Sequence, residues 1–237
     1  MKSRSLSRMI PEDALAQIRL LIFDLDGTLV DSEMDLALSV NAVRQEMGLE
    51  PLPVHQVASY VGQGVTVLIR RALGEAATDE TVKKATNRFL KYYGEHMLDN
   101  TVPYPGVREA LIALGSMPMA VLTNKPVVFS RRMLAGLGLA RHFAFIYGGN
   151  SFEQKKPDPM GVYKLMNDLK ASAQSTMIVG DSDTDVLTGQ NAGVWTCGVT
   201  YGIGSLSLQE TPPDLLLADL RELPPLLNGS GKTKAEG

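Results

Sequence analysis

Asp24 and Asp26 stand two residues apart in Phe23-Asp24-Leu25-Asp26-Gly27-Thr28, directly after the apolar run Leu20-Leu21-Ile22-Phe23. Two carboxylates so close repel each other, and a divalent cation is the natural remedy. Gly27 lets the chain turn sharply behind them. The chemistry these residue types could do is a metal-assisted reaction on an anionic substrate. Taken alone, Asp26-Gly27 also reads as an ordinary turn and Asp24 as a solvated strand end, so the other loops must decide.

Three later loops carry groups of the same kind. Ala120-Val121-Leu122 runs into Thr123-Asn124, whose hydroxyl, amide and backbone N–H groups suit phosphate oxygens. Either residue could equally cap a helix. Lys155-Lys156-Pro157-Asp158-Pro159 places a lysine before a stiff segment. Lys156, next to the proline, is the expected cation, with Lys155 as the alternative. It could neutralise a nucleophilic carboxylate and a transferring phosphoryl group together. Met177-Ile178-Val179 ends in Gly180-Asp181-Ser182-Asp183-Thr184-Asp185, three acids within five residues that would be costly without a cation nearby. Asp181 is expected to point into the site and Asp183 to cap the following helix. Asp185 falls in that helix's first turn, where the dipole favours it.

Elements must bring these loops together. Apolar runs recur at Leu20–Phe23, Met119–Leu122, Phe143–Tyr147, Met177–Val179, Val194–Val199 and Leu215–Leu217. Helical stretches alternate with them: Gly106–Leu114, Val128–Leu137, Met160–Leu169 and Thr184–Ala192. This alternation predicts an α/β fold with a doubly wound, Rossmann-like parallel sheet. All four loops then lie at carboxyl ends of strands, where open α/β sheets bind ligands.

One stretch breaks the pattern. Between about residues 33 and 100 only helical periodicity is found, with Leu36, Val40, Val43 and Met47 on one face, then Val65, Leu68, Ile69 and Leu73, then Val82, Phe89 and Tyr93. The expected organisation is a catalytic core of residues 18–32 and 101–225 with a helical cap of 33–100 inserted after the first strand. Residues 1–17, with a short helix over Glu12 to Gln17, and 226–237 are expected to be flexible tails. An insertion there hangs over the ligand edge and can act as a lid.

The net charge of −3 and the lack of a basic stripe argue against nucleic acid as a partner. No apolar run long enough to span a membrane occurs, and Met1-Lys2-Ser3-Arg4-Ser5 lacks a secretory signal's apolar stretch, so a cytoplasmic location is expected. The single cysteine, Cys197, sits in an apolar strand-like stretch and reads as a core residue. His55, His96 and His142 have no metal-ligand spacing and read as surface residues. Gly231-Lys232-Thr233 is rejected as a phosphate-binding loop, because Leu226 stands where its first glycine would be needed. The chain could be a monomer or a homodimer.

Asp24-Leu25-Asp26-Gly27-Thr28, Thr123-Asn124, Lys156-Pro157 and Gly180-Asp181-Ser182-x-x-Asp185 resemble the four motifs of the haloacid dehalogenase superfamily, in order, over about residues 18 to 220. Leu29-Val30-Asp31-Ser32, Tyr60-Val61-Gly62-Gln63-Gly64, Tyr104-Pro105-Gly106 and Lys156-Pro157-Asp158-Pro159 are most similar to its phosphoglycolate phosphatase branch. The resemblance implies that Asp24 attacks phosphorus to form an aspartyl-phosphate, and that Asp26 protonates the leaving alcohol and then activates water. It implies Mg2+ held by Asp24, the main-chain carbonyl of Asp26 and Asp181, with Asp185 in the outer shell. Thr123, Asn124 and Lys156 would hold the transferring group. Dehalogenases usually lack the second Asp, so Asp26 favours phosphoryl transfer.

The substrate implied is a small phosphate ester, first of all 2-phosphoglycolate. Gly62-Gln63-Gly64 opens a cap helix, where N–H groups could receive a small anion such as a carboxylate; the glycines could equally form a hinge. Arg70 and Arg71 further along that helix could add charge or face solvent. Sugar phosphates, nucleotides or pyrophosphate are alternative substrates. A phosphosugar mutase and a non-catalytic binding module are the alternative functions, though the presence of Asp24, Asp26, Lys156 and Asp181 argues against the latter.

Overall fold

A computed structural model describes residues 10–228. Six strands form one parallel sheet in the order β5-β4-β1-β6-β7-β8. They are β1 (Leu20–Phe23), β4 (Met119–Leu122), β5 (Phe145–Tyr147), β6 (Thr176–Gly180), β7 (Trp195–Val199) and β8 (Leu215–Leu217). A separate antiparallel pair joins β2 (Val30–Asp31) to β3 (Val102–Pro103). The doubly wound α/β sheet expected from the alternation is therefore present.

The sheet is apolar on both faces because helices cover both. Leu21 and Phe23 point into one layer with Val107 and Leu111 of α6 (Val107–Ala113) and Met133 and Leu134 of α7 (Val127–Gly136). Leu20 and Ile22, their neighbours on the same strand, point the other way, onto Val162 and Leu165 of α8 (Met160–Asp168) and Ala192 of α9 (Asp183–Ala192). Each such fully buried side chain contributes roughly 1.5–3 kcal/mol. Cys197 is buried with the first layer, as its setting predicted.

Between β2 and β3 the chain forms only helices: α2 (Glu33–Glu46), α3 (Val54–Ala58), α4 (Val65–Leu73) and α5 (Asp79–His96). Leu36, Val40 and Val43 of α2 are buried with Leu68, Ile69 and Leu73 of α4 and with Val82, Phe89 and Tyr93 of α5. One carboxylate ties the two crossings of this insertion together. Asp35, at the start of α2, accepts hydrogen bonds from the N–H of Asn100, the N–H of Thr101 and the Thr101 hydroxyl, the last at 2.7 Å. The exit strand is thus pinned to the entry helix, which fixes where the insertion stands over the sheet.

The ends depart from expectation. The short helix expected near Glu12 forms as α1 (Glu12–Leu15), but Ile10 and Leu15 are buried in the main core, so residues 10–17 are not a loose leader. At the other end α10 (Leu223–Asn228) crosses the expected boundary at 225, with Leu227 buried. Apolar side chains have a core face to cover at both places. The Gly231-Lys232-Thr233 segment lies outside the described residues. Among the described residues no helix is long and apolar enough to cross a membrane.

Candidate active site

Register brings the four loops to one rim. Phe23 pairs with Val121 on one side and Val179 on the other, so Asp24, Thr123 and Asp181 leave their strands within a residue or two of the same level. The Asp24 N–H donates to the Val179 carbonyl at 2.9 Å, which holds the first acid at the strand end. Gly27 then turns the chain with φ of +88°, and a Cβ there would meet Asp181 Oδ2 at 2.2 Å. Only glycine permits both the turn and that approach.

Asp24, Asp181 and Asp185 are buried, and each offers an oxygen to one cluster spanning at most 4.8 Å. Lys156, buried as well, is the cation among them: its Nζ lies 2.6 Å from Asp185 Oδ1 and 2.9 Å from Asp24 Oδ1. Of the two lysines left open by the sequence, Lys155 is exposed and Lys156 is the one placed in the cluster. Asp181 accepts from the Thr28 hydroxyl at 3.0 Å and from the Gly204 N–H at 2.7 Å.

Three buried carboxylates against one lysine are short of positive charge. Burial pushes the Asp24 carboxyl up to about 6, with Lys156 opposing and Asp185 reinforcing the shift. Burial, then Asp185 and Asp24, push Asp181 well above the ordinary carboxylate range. Burial opposes the charge on Lys156, but Asp185 and Asp24 raise its pKa above the usual lysine value. No hydrogen bond of good geometry reaches Asp24 Oδ1. Hard oxygen donors, a buried carboxylate oxygen met only by the Lys156 ammonium and uncompensated negative charge fit a divalent cation such as Mg2+ held by Asp24 and Asp181.

This charge shortage has a measurable consequence for the metal-free protein. Asp24 ionises near pH 4 in an unfolded chain and at about 6 here. As pH rises through that window the unfolded state releases its proton first, so stability is present below about 4 and lost by about 7. In chelator, wild type should lose about 3 kcal/mol relative to Asp24→Asn between those limits. Urea unfolding of both proteins across pH checks this; a pH-independent difference between them would overturn it.

Asp26 sits apart from the acid cluster. It accepts from the Ser32 hydroxyl at 2.6 Å and from Lys125 Nζ at 2.9 and 3.0 Å. Lys125 was not singled out by sequence; its Nζ also donates to the Tyr93 hydroxyl at 2.6 Å. Burial opposes its charge, but Asp26 and Tyr93 raise its pKa above the usual lysine value. The available signal was its position directly after Thr123-Asn124, on the same rim.

Other expected roles change. The Asn124 amide is committed to the backbone: Nδ2 donates to the Gly62 carbonyl at 2.9 Å and the Lys156 carbonyl at 3.0 Å, and Oδ1 accepts from the Lys156 N–H at 3.0 Å. It therefore latches the insertion and the Lys156 loop to the β4 end, leaving no side-chain group for phosphate. Thr123 is buried and lines the cavity. Gln63 is exposed and accepts from Arg71, so it does not line the cavity, whereas Gly62 and Gly64 do. Gly64 packs closely: a Cβ on it would stand 3.0 Å from Lys155 Nζ and 3.4 Å from the Asn124 carbonyl. Arg70 pairs with Asp79 at the surface. Ser182, not Asp183, occupies the N-cap of α9, and Asp185 reaches back to its N–H at 3.2 Å.

Between rim and insertion lies a cavity of about 60 Å³. Asp24, Asp26, Thr123 and Lys125 form its polar floor, and Leu36, Leu68, Phe89, Leu90 and Phe129 its apolar roof. It is small beside the ~300–1,000 Å³ of pockets for drug-sized ligands. The apolar roof lowers the local polarity and so strengthens the charge interactions beneath it.

Residues 21–199 match the family model of the haloacid dehalogenase-like hydrolases. The chain is 36% identical over 220 residues to a phosphoglycolate phosphatase of Neisseria meningitidis, covering 89% of this chain and 94% of that protein. It is 38% identical over 217 residues to a phosphoglycolate phosphatase of Haemophilus influenzae, covering 87% and 97%. A crystal structure of a protein described as a predicted phosphoglycolate phosphatase from Haemophilus somnus superposes with a TM-score of 0.83 at 33% identity, covering 87% of this chain and 96% of that one.

Proposed function

Because the chain belongs to the haloacid dehalogenase-like hydrolases, we propose that it is a Mg2+-dependent phosphatase hydrolysing a small phosphomonoester, 2-phosphoglycolate first among them. The observation that carries this reading is the separation of Asp24 from Asp26. One carboxylate lies among acids and Lys156, the other between Ser32 and Lys125. Two environments for two carboxylates are what a nucleophile and an acid–base group require.

In this reading Asp24 attacks phosphorus in line, the P–O bond to the alcohol breaks, and an aspartyl-phosphate forms. Asp26 gives its proton to the departing alkoxide and afterwards takes one from the water that cleaves the acyl phosphate. Thr123 and Lys156 hold the phosphoryl oxygens, Lys156 moving charge between Asp24 and the transferring group. Asp24, Asp181 and the Asp26 carbonyl would hold the Mg2+, which when bound supplies charge neutralisation on the transferring phosphoryl. Asp185 orients Lys156. Residues 33–100 act as the cap, latched through Asn124 and Gly62, and exclude water.

Small volume supports a small ester over a nucleotide. The test is phosphate release from 2-phosphoglycolate, hexose phosphates, nucleotides and pyrophosphate, with Mg2+ and with excess chelator. The expected result is the highest kcat/KM for 2-phosphoglycolate and loss of release in chelator. Preference for another ester would discard the substrate and keep the reaction class. Full activity in chelator would sink the metal assignment, and no release from any ester would sink the phosphatase.

A further inference from the structure

We propose that Lys125, with Tyr93 beside it, recognises a carboxylate on the leaving alcohol, so that the site selects phosphate esters bearing that group on the ester carbon. The inference rests on the phosphatase reading above and adds the feature by which its substrate is chosen.

Lys125 is the one cationic side chain among the described residues lining the cavity. Its side chain is 5% exposed, and its Nζ stands over the Tyr93 ring at 4.6 Å as well as on the hydroxyl. It adjoins Asp26, the group that would meet the leaving oxygen. A carboxylate on the carbon that carries the ester oxygen would necessarily lie close to that oxygen, and hence close to Lys125. An alcohol whose anionic group lies several bonds away would overrun the roof of Leu36, Phe89, Leu90 and Phe129.

Tyr93 supplies the second observation. It is 2% exposed, and its hydroxyl oxygen accepts from Lys125. Its own O–H proton then needs an acceptor, and among the described residues none is hydrogen-bonded to it. Buried tyrosine hydroxyls normally find a partner. The Lys125 ammonium, shared with Asp26, and the adjacent Tyr93 O–H, walled by apolar side chains, form a receptor for one small carboxylate. Asp26 accepts from Lys125 at both carboxylate oxygens and from Tyr93 at neither, so the Tyr93 proton is left for a second acceptor. Tyr93 comes from α5, so the insertion contributes directly to choosing the substrate.

The test compares kcat/KM for 2-phosphoglycolate and for its uncharged carboxamide, at saturating Mg2+, in wild type and in Lys125→Gln. Glutamine keeps donors toward Asp26 and Tyr93 while losing the charge. Wild type should prefer the carboxylate by about 30-fold or more, mainly through KM. Lys125→Gln should bring the two esters within about 3-fold of each other, and Tyr93→Phe should erode the preference partly. Equal rates in wild type, or a preference that survives Lys125→Gln, would overturn the assignment while leaving the phosphatase reading intact. Release from neither ester in wild type would fail that reading, and this inference with it. A second readout needs no variant: the side-chain ammonium resonance of Lys125 should shift on adding glycolate and stay still with glycolamide, and no shift with glycolate overturns the proposal.

Discussion

Asp24→Asn should cut phosphate release by about 10⁴-fold or more and leave the protein folded. The replacement has the shape of aspartate, so the cluster around it keeps its packing. It removes one of the three acids facing a single lysine, so repulsion falls and Lys156 keeps Asp185 at 2.6 Å. What disappears is the nucleophile. Uncatalysed cleavage of phosphate monoesters is so slow that rate gains up to ~10²¹ are needed, and removing a covalent nucleophile elsewhere costs on the order of 10⁶ in kcat. Circular dichroism and a thermal melt check the fold, and steady-state phosphate release checks the rate. Rapid acid quench of wild type should trap a phosphorylated protein, and the variant should trap none. Turnover near the wild-type rate, or an adduct on the variant, would remove Asp24 as nucleophile.

The core of that expectation is legible in the sequence. Continuous apolar runs such as Leu20–Phe23 mark strands buried on both faces, and a polar residue after each marks the ligand edge. Asp24, Thr123, Lys156 and Asp181 could therefore be placed on one rim from types and spacing alone. Partnerships between distant side chains could not. Lys125 meets Asp26 from 99 positions away and Tyr93 from 32, and a lone lysine before Pro126 carries no periodic signal. Asp35 shows the same limit: its bonds to Asn100 and Thr101 cross the whole insertion. Asn124 differs from the sequence expectation because a rim amide has two possible uses, and here bonding the backbone groups of Gly62 and Lys156 takes precedence over phosphate. The β2–β3 pair, two residues a strand, is too short to leave a pattern.

Lys156→Met should also abolish efficient turnover, but with the opposite effect on stability. Lys156 is 3% exposed at its side chain and stands between Asp24 and Asp185. Removing it leaves buried negative charge without its partner, a change that costs about 3–5 kcal/mol in such settings. The rate should fall by about 10²–10³-fold, the range for losing one preorganised electrostatic group. Lys156→Arg should not rescue it, since a planar guanidinium needs more room than an enclosed point charge. In chelator the Met variant should regain stability as pH falls, because protonating the cluster removes the repulsion that Lys156 had offset. Asp24→Asn should show no such recovery on Asp24's account. Denaturant unfolding of wild type and both variants at neutral and acidic pH separates the two. If Lys156→Met proves as stable as wild type at neutral pH without metal, the ion pairs are not what allows three acids to share this site. Their positions would then have to be held by the backbone contacts of Gly204 and Ser182, and by the metal alone once it is bound.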